Sequence, residues 1–204
     1  MEAIAFHDAE AAAREALWWI YEEALPASER KTRDALAAIG DDPEYSFTLF
    51  CADGAVAGFS ILFLPIDAQF AVLEYLAVDA GRRSRGMGAS IMQAVIDQTG
   101  DRTLLIEIDR DGSEQAMRRR RFYERSGCMV LDGVRYRMPR IGAEAPPEMA
   151  LLARLADDHA TLSRDTLRDW IAVIDTRMYA QARDDRRIAA MLDKAPAMWR
   201  RADG

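Results

Sequence analysis

Apolar residues along the chain change period several times. Over residues 8–24, Ala13, Leu17, Ile20, Tyr21 and Ala24 recur at the spacing of one helix face, with Asp8 placed to cap the first turn and Pro26 beyond the last. A second helical stretch is predicted from Ser28 to Gly40, with Leu36 and Ile39 on its buried side. The period then shortens. "YSFTLFCADG" and "AVAGFSILFLP" are β-runs joined by Asp53-Gly54, a dipeptide that tolerates the backbone of a tight hairpin. A third run, "FAVLEYLAV", follows a turn at residues 66–69, and an N-terminal strand fits Ala3–Phe6.

The helical period returns with Met87, Ile91 and Val95, and Gly100 suits the C-terminal cap. "TLLIEID" has strand length, and "SEQAMRRRRFYERSG" is helical up to Gly127. "CMVLDG" and "EMALLARL" are two further strands around the loop "RMPRIGAEAPP". From Ser163 onward, Leu167, Trp170, Ile171, Ile174 and Met178 form an apolar stripe, followed by a short helix around Arg187–Leu192. This order predicts an α/β fold: a mixed central β-sheet flanked by helices, with antiparallel hairpins and parallel neighbours across residues 73–109. Residues 1–155 are expected to hold that domain. Residues 156–204 are expected to form a C-terminal helical extension, packed on the domain or on a second copy in a homodimer.

Composition narrows the function. The 204 residues are half hydrophobic and 30% charged, as in soluble globular proteins. No apolar run approaches the ~20 residues that span a bilayer, and the acidic N-terminus lacks a signal-peptide pattern. A cytoplasmic location and no membrane partner are therefore expected. Cys51 and Cys128 are too few for a disulfide framework, and with His7 and His159 they show no metal-ligand spacing, so no metal is expected. A net charge of −7 argues against nucleic acid as a partner. Basic residues nonetheless cluster at Arg82, Arg83 and Arg85 and at Arg118–Arg121, a pattern suited to a discrete anionic ligand.

The first cluster lies in "LEYLAVDAGRRSRGMGAS". A helix starting near Gly86 leaves its first N–H groups unpaired and puts partial positive charge there. Gly86 and Gly88 remove side chains that would hold a ligand away, and Arg83 and Arg85 add cationic donors. Together these suit a pyrophosphate. No Walker A string is present, and position 91 is Ile where a dinucleotide fingerprint has its third glycine. What remains is R-x-x-G-x-G.

That motif, after a strand ending in "LAV", resembles the acetyl-CoA-binding motif of the GCN5-related N-acetyltransferase (GNAT) family. "RFYERSGC" resembles the family's second landmark, on the helix after the next strand. The resemblance covers about residues 3–155. It implies a GNAT acyl-CoA N-acyltransferase fold and transfer of the acetyl group of acetyl-CoA to a primary amine by direct attack in a ternary complex. It further implies that backbone groups of Leu76, Ala77 and Val78 hold the pantetheine, with a strand N–H as oxyanion donor. N–H groups across Arg83, Ser84, Arg85, Gly86, Met87, Gly88 and Ala89 would hold the pyrophosphate. Tyr123 matches the tyrosine that protonates the departing thiolate. Ala116 stands where relatives often carry a CoA-contacting Asn, and Cys128 where a Phe is usual.

The base is not given by the resemblance. Glu74 is the candidate, because it shares strand parity with Leu76 and Val78, and Glu107 and Asp109 are reserves. Glu22, Glu23 and Glu29 favour a cationic amine acceptor, and Trp18 and Trp19 border its expected cleft. The alternative is a non-catalytic acyl-CoA-binding regulatory module.

Overall fold

The structure is a computed structural model and describes residues 1–25, 30–83, 86–139, 148–157 and 160–201. It contains two compact units, Met1–Asp67 with Ala71–Gly100, and Ala68–Phe70 with Asp101–Gly204.

The first unit contains β1 (Glu2–Ala5), α1 (Ala11–Ala24), α2 (Arg33–Gly40), β2 (Tyr45–Ala52), β3 (Ala55–Phe63), all of β4 (Phe70–Val78) except Phe70, and α3 (Met87–Thr99). The four strands lie in the order β1-β2-β3-β4, each antiparallel to the next. Asp53 and Gly54 turn the β2–β3 hairpin with φ of 53° and 74°, as their chemistry predicts. Alternation along the strands separates two faces. Phe47 and Leu49 of β2, Phe59 and Ile61 of β3 and Ala77 of β4 join Leu17, Tyr21 and Leu36 of α1 and α2 in one core. The opposite face meets α3, where Gln98 approaches Ser46 and Thr48 at 3.3 Å. Gly58 permits that approach: a Cβ there would lie 2.4 Å from the Ala77 carbonyl oxygen and 2.7 Å from Ile91 Cδ1.

Two helix starts differ from the periodicity. Asp8 does not cap α1, because Phe6–Asp8 form a separate 3-10 turn. The Phe6 ring stacks on Phe47 with centroids 4.4 Å apart, and the helix begins only at Ala11. Helix α2 begins at Arg33, with Thr32 Oγ1 accepting from the Ala35 N–H at 3.2 Å. Ser28, the expected start, lies outside the described residues.

The second unit contains β5 (Thr103–Asp109), α4 (Glu114–Arg125), β6 (Met129–Val130), β7 (Met149–Arg154), β8 (Thr161–Ser163), α5 (Arg164–Val173), α6 (Asp185–Met191) and β9 (Met198–Arg200). Three of its strands follow the order β5-β7-β6, with β7 antiparallel to both neighbours. The extension is not purely helical, since β8 and β9 pair in a ribbon of three-residue strands too short to show a period. Helix α5 keeps its predicted stripe and runs into a wider π turn at Ile174–Met178. Within this unit the extension is packed inward. Trp199 Nε1 donates to the Asp132 carbonyl at 3.1 Å, the Arg135 N–H to the Met191 carbonyl at 2.9 Å, and Trp170 stacks on Phe70. No helix among the described residues is long and apolar enough to cross a membrane.

Candidate active site

Helix α3 opens at Gly86, whose φ of 78° is left-handed and favours glycine. No side chain caps this end, and the first helical bond runs from the Ser90 N–H to the Gly86 carbonyl at 3.0 Å. The N–H groups of Met87, Gly88 and Ala89 therefore precede the ladder and face outward from the positive end of the helix. The approach to this end is itself fixed. Asp79 Oδ1 accepts from the Gly81 N–H at 2.7 Å, and Asp79 O from the Arg82 N–H at 3.0 Å. Arg83 Nε donates back to the Val78 carbonyl at 3.2 Å, while the Arg82 guanidinium reaches Asp53 at 3.4 Å. Ser84 and Arg85 lie outside the described residues.

Strand β4 carries an irregularity that the sequence pattern hides. Tyr75 pairs with Ile61 and Leu73 with Leu62, so Glu74 has no partner on β3 and forms a bulge. A bulge breaks strict alternation. Leu76 and Val78 point away from the α1–α2 core, whereas Tyr75 and Ala77 join it. Glu74 points to the same side as Tyr75, where its Oε1 accepts a hydrogen bond from Lys31 Nζ. The parity that would align Glu74 with Leu76 and Val78 is thus lost at the bulge.

Glu74 is nearly enclosed, with 8% of its side chain exposed, and its Oε2 has no partner among the described residues. Burial pushes its carboxyl above the usual range, and the Lys31 ammonium opposes that shift. Aromatic side chains surround the pair. The Tyr21 hydroxyl accepts from the Lys31 N–H at 2.7 Å, and the Tyr21 ring meets Tyr75 edge-on at 5.7 Å. Burial, then the charge of Glu74, raises the Tyr45 phenol. Of the acidic residues expected to attract a cation, Glu22 is already bound to Arg33 at 2.8 Å, and Glu29 lies outside the described residues. Trp18 packs in the core, and Trp19 is exposed.

In the second unit, α4 is capped by Ser113 Oγ accepting from the Ala116 N–H at 3.0 Å. Tyr123 is buried on this helix, and burial pushes its phenol up to about 12. Its hydroxyl has no hydrogen-bond partner among the described residues. Cys128 is also buried, and its thiol is pushed up to about 12. Ala116 lines a cavity of about 190 Å³ with Asp109, Met117, Arg120 and Leu151. The reserve carboxylates are engaged. Glu107 accepts from the Tyr136 and Tyr179 hydroxyls, and Asp109 from Arg119 at 2.9 Å. Arg120 pairs with Glu124, so the second arginine cluster is partly consumed by its own helix and strand.

Sequence reasoning missed Lys31 and the tyrosines around Glu74. A signal was present: a glutamate within "FAVLEYLAV" requires a polar partner, though the pattern does not say which.

Residues 11–128 match the acetyltransferase (GNAT) family, and the chain belongs to it. No curated protein matches the sequence. Among solved structures, one similar chain is a Bacteroides thetaiotaomicron protein described as a GNAT-family acetyltransferase. It is 20% identical, covers 88% of this chain and 98% of its own length, and has a TM-score of 0.72. The ribosomal-protein-S18-alanine N-acetyltransferase of Escherichia coli is 18% identical over 78% of this chain and 95% of its own, with a TM-score of 0.56. An aminoglycoside 6'-N-acetyltransferase complexed with coenzyme A is 15% identical over 75% and 96%, with a TM-score of 0.55. At these identities the structural likeness concerns the fold.

Proposed function

We propose that this chain transfers the acetyl group of acetyl-CoA to a primary amine by direct attack in a ternary complex. The observation that carries this reading is the uncapped start of α3 at left-handed Gly86, the first glycine of the R-x-x-G-x-G motif. Three outward N–H groups on a helix dipole suit the pyrophosphate of CoA. Backbone groups of Leu76, Ala77 and Val78 then hold pantetheine, and a strand N–H polarises the thioester carbonyl.

An attacking amine must lose its proton. Glu74, buried and with raised proton affinity, suits that role better than Glu107 or Asp109, whose oxygens are already engaged. Its carboxylate favours an acceptor that arrives as a cation. Tyr123 stays protonated at neutral pH and can donate a hydrogen bond to the developing thiolate. Full proton transfer to a thiolate of ordinary basicity is uphill by roughly three pK units. Tyr123 thus acts mainly by stabilising charge.

Calorimetry with CoA, followed by thiol release from acetyl-CoA across a panel of amines, tests the reading. Micromolar CoA binding and turnover with primary amines are expected, with slower turnover in Tyr123→Phe. CoA binding without turnover on any amine would favour the regulatory-module alternative, and no CoA binding would overturn both.

A further inference from the structure

Only Lys31 and Lys194 of the 27 basic residues are lysines. Arginine is the usual partner for a buried carboxylate, because its fork stays charged and binds in two places. Here the partner of Glu74 is instead the basic residue whose nitrogen becomes a nucleophile on losing a proton. The contact is directed as well as present. Lys31 Nζ bonds Glu74 Oε1, the other carboxylate oxygen is enclosed without a partner among the described residues, and the lysine side chain remains 30% exposed. The backbone that presents it is tied to α1 on both sides. Arg30 Nε donates to the Leu25 carbonyl at 2.7 Å, Arg33 to Glu22 at 2.8 Å, and the Lys31 N–H to Tyr21. A merely solvated lysine needs none of these ties.

Glu74 lies two residues before Leu76 on β4, the strand whose backbone is expected to hold the thioester, and the bulge turns its carboxylate to the Lys31 side. We propose that Lys31 is an internal acceptor, acetylated at Nζ by acetyl-CoA bound to the same chain. This rests on the acetyl-CoA reading above. Glu74 takes a proton from the ammonium, and the free electron pair attacks the thioester carbon. The C–N bond forms as the C–S bond breaks, the second proton lost by the nitrogen goes to the leaving thiolate to give the CoA thiol, and Glu74 passes the first to solvent. The products are Nε-acetyl-lysine and CoA. The primary alkylammonium class of any external acceptor follows from the same arrangement, since such a group would have to take the place of Lys31 on Glu74.

The test incubates the purified chain with acetyl-CoA and no added amine, then maps acetylation by peptide mass spectrometry, with CoA binding measured by calorimetry in parallel. Lys31 is expected to carry the acetyl group and Lys194 not, at a first-order rate that does not change on dilution of the protein. Glu74→Gln should bind CoA normally and label Lys31 about a hundredfold more slowly. Equal labelling of both lysines, a rate that scales with protein concentration, or CoA binding and amine turnover with Lys31 unmodified would each overturn the internal acceptor while leaving the proposed function standing. Absence of CoA binding would remove the proposed function and this inference together. The Lys194 control and the dilution series use the unaltered chain, so the outcome does not depend on whether a variant folds.

Discussion

Glu74 in "AVLEYLAV" and Glu107 in "LLIEID" interrupt apolar strands in the same way, yet their surroundings differ in kind. Two tyrosine hydroxyls, from Tyr136 and Tyr179, each take one oxygen of Glu107. Neutral donors of that sort hold a carboxylate in place and leave it little reason to exchange protons. Glu74 has one cation on one oxygen and nothing on the other among the described residues. Burial alone therefore does not mark a base. Unused hydrogen-bonding capacity beside a displaceable partner does.

Substitution by glutamine should separate the two residues. Glu74→Gln should lower kcat for an amine acceptor by about 10²–10⁴-fold, with CoA affinity and the thermal midpoint nearly unchanged; equal loss in kcat and midpoint would erase the contrast. Glu107→Gln should do the reverse. The amide nitrogen cannot accept, so one tyrosine hydroxyl loses its partner and stability falls by about 1–3 kcal/mol, while kcat per folded molecule holds. Thermal unfolding alongside steady-state rates checks both. Gly86→Ala should destabilise by about 1 kcal/mol through its left-handed backbone and weaken CoA binding in calorimetry.

A subtler difference is in pH dependence. A carboxyl whose folded pKa is raised stabilises the fold most below its unfolded value, near 4.5 for Glu74, and that contribution is lost as pH rises toward the folded value. Lys31 limits the loss. Lys31→Met should lift the Glu74 pKa further, so its thermal midpoint should fall more steeply with rising pH than that of the parent chain. Parallel slopes in the two chains would mean that Lys31 does not govern Glu74.

Long periodic segments and turn dipeptides were legible in the sequence. The Asp53-Gly54 hairpin, the Gly100 cap and the stripe from Leu167 to Met178 all depend on local chemistry, and the structure has them where the pattern puts them. The R-x-x-G-x-G turn and the tyrosine landmark likewise placed the chain in its family. Parity failed at Glu74 because a bulge depends on the pairing of two strands, and a single strand's pattern carries no record of its partner's register. Lys31 was invisible for a similar reason, since it meets Glu74 across 43 positions of chain. The β8–β9 ribbon escaped notice because three residues cannot display a period.

The bulge at Glu74 also sets what this strand can tolerate. Residues before and after it are in opposite phase, because Leu73 and Tyr75 pair with the consecutive residues Leu62 and Ile61. Deleting Glu74 would restore regular alternation and leave Tyr75 and Ala77 on the core side, with Leu76 and Val78 on the other. The ladder therefore needs one residue fewer than the chain supplies, and the surplus residue is the one that carries the carboxylate.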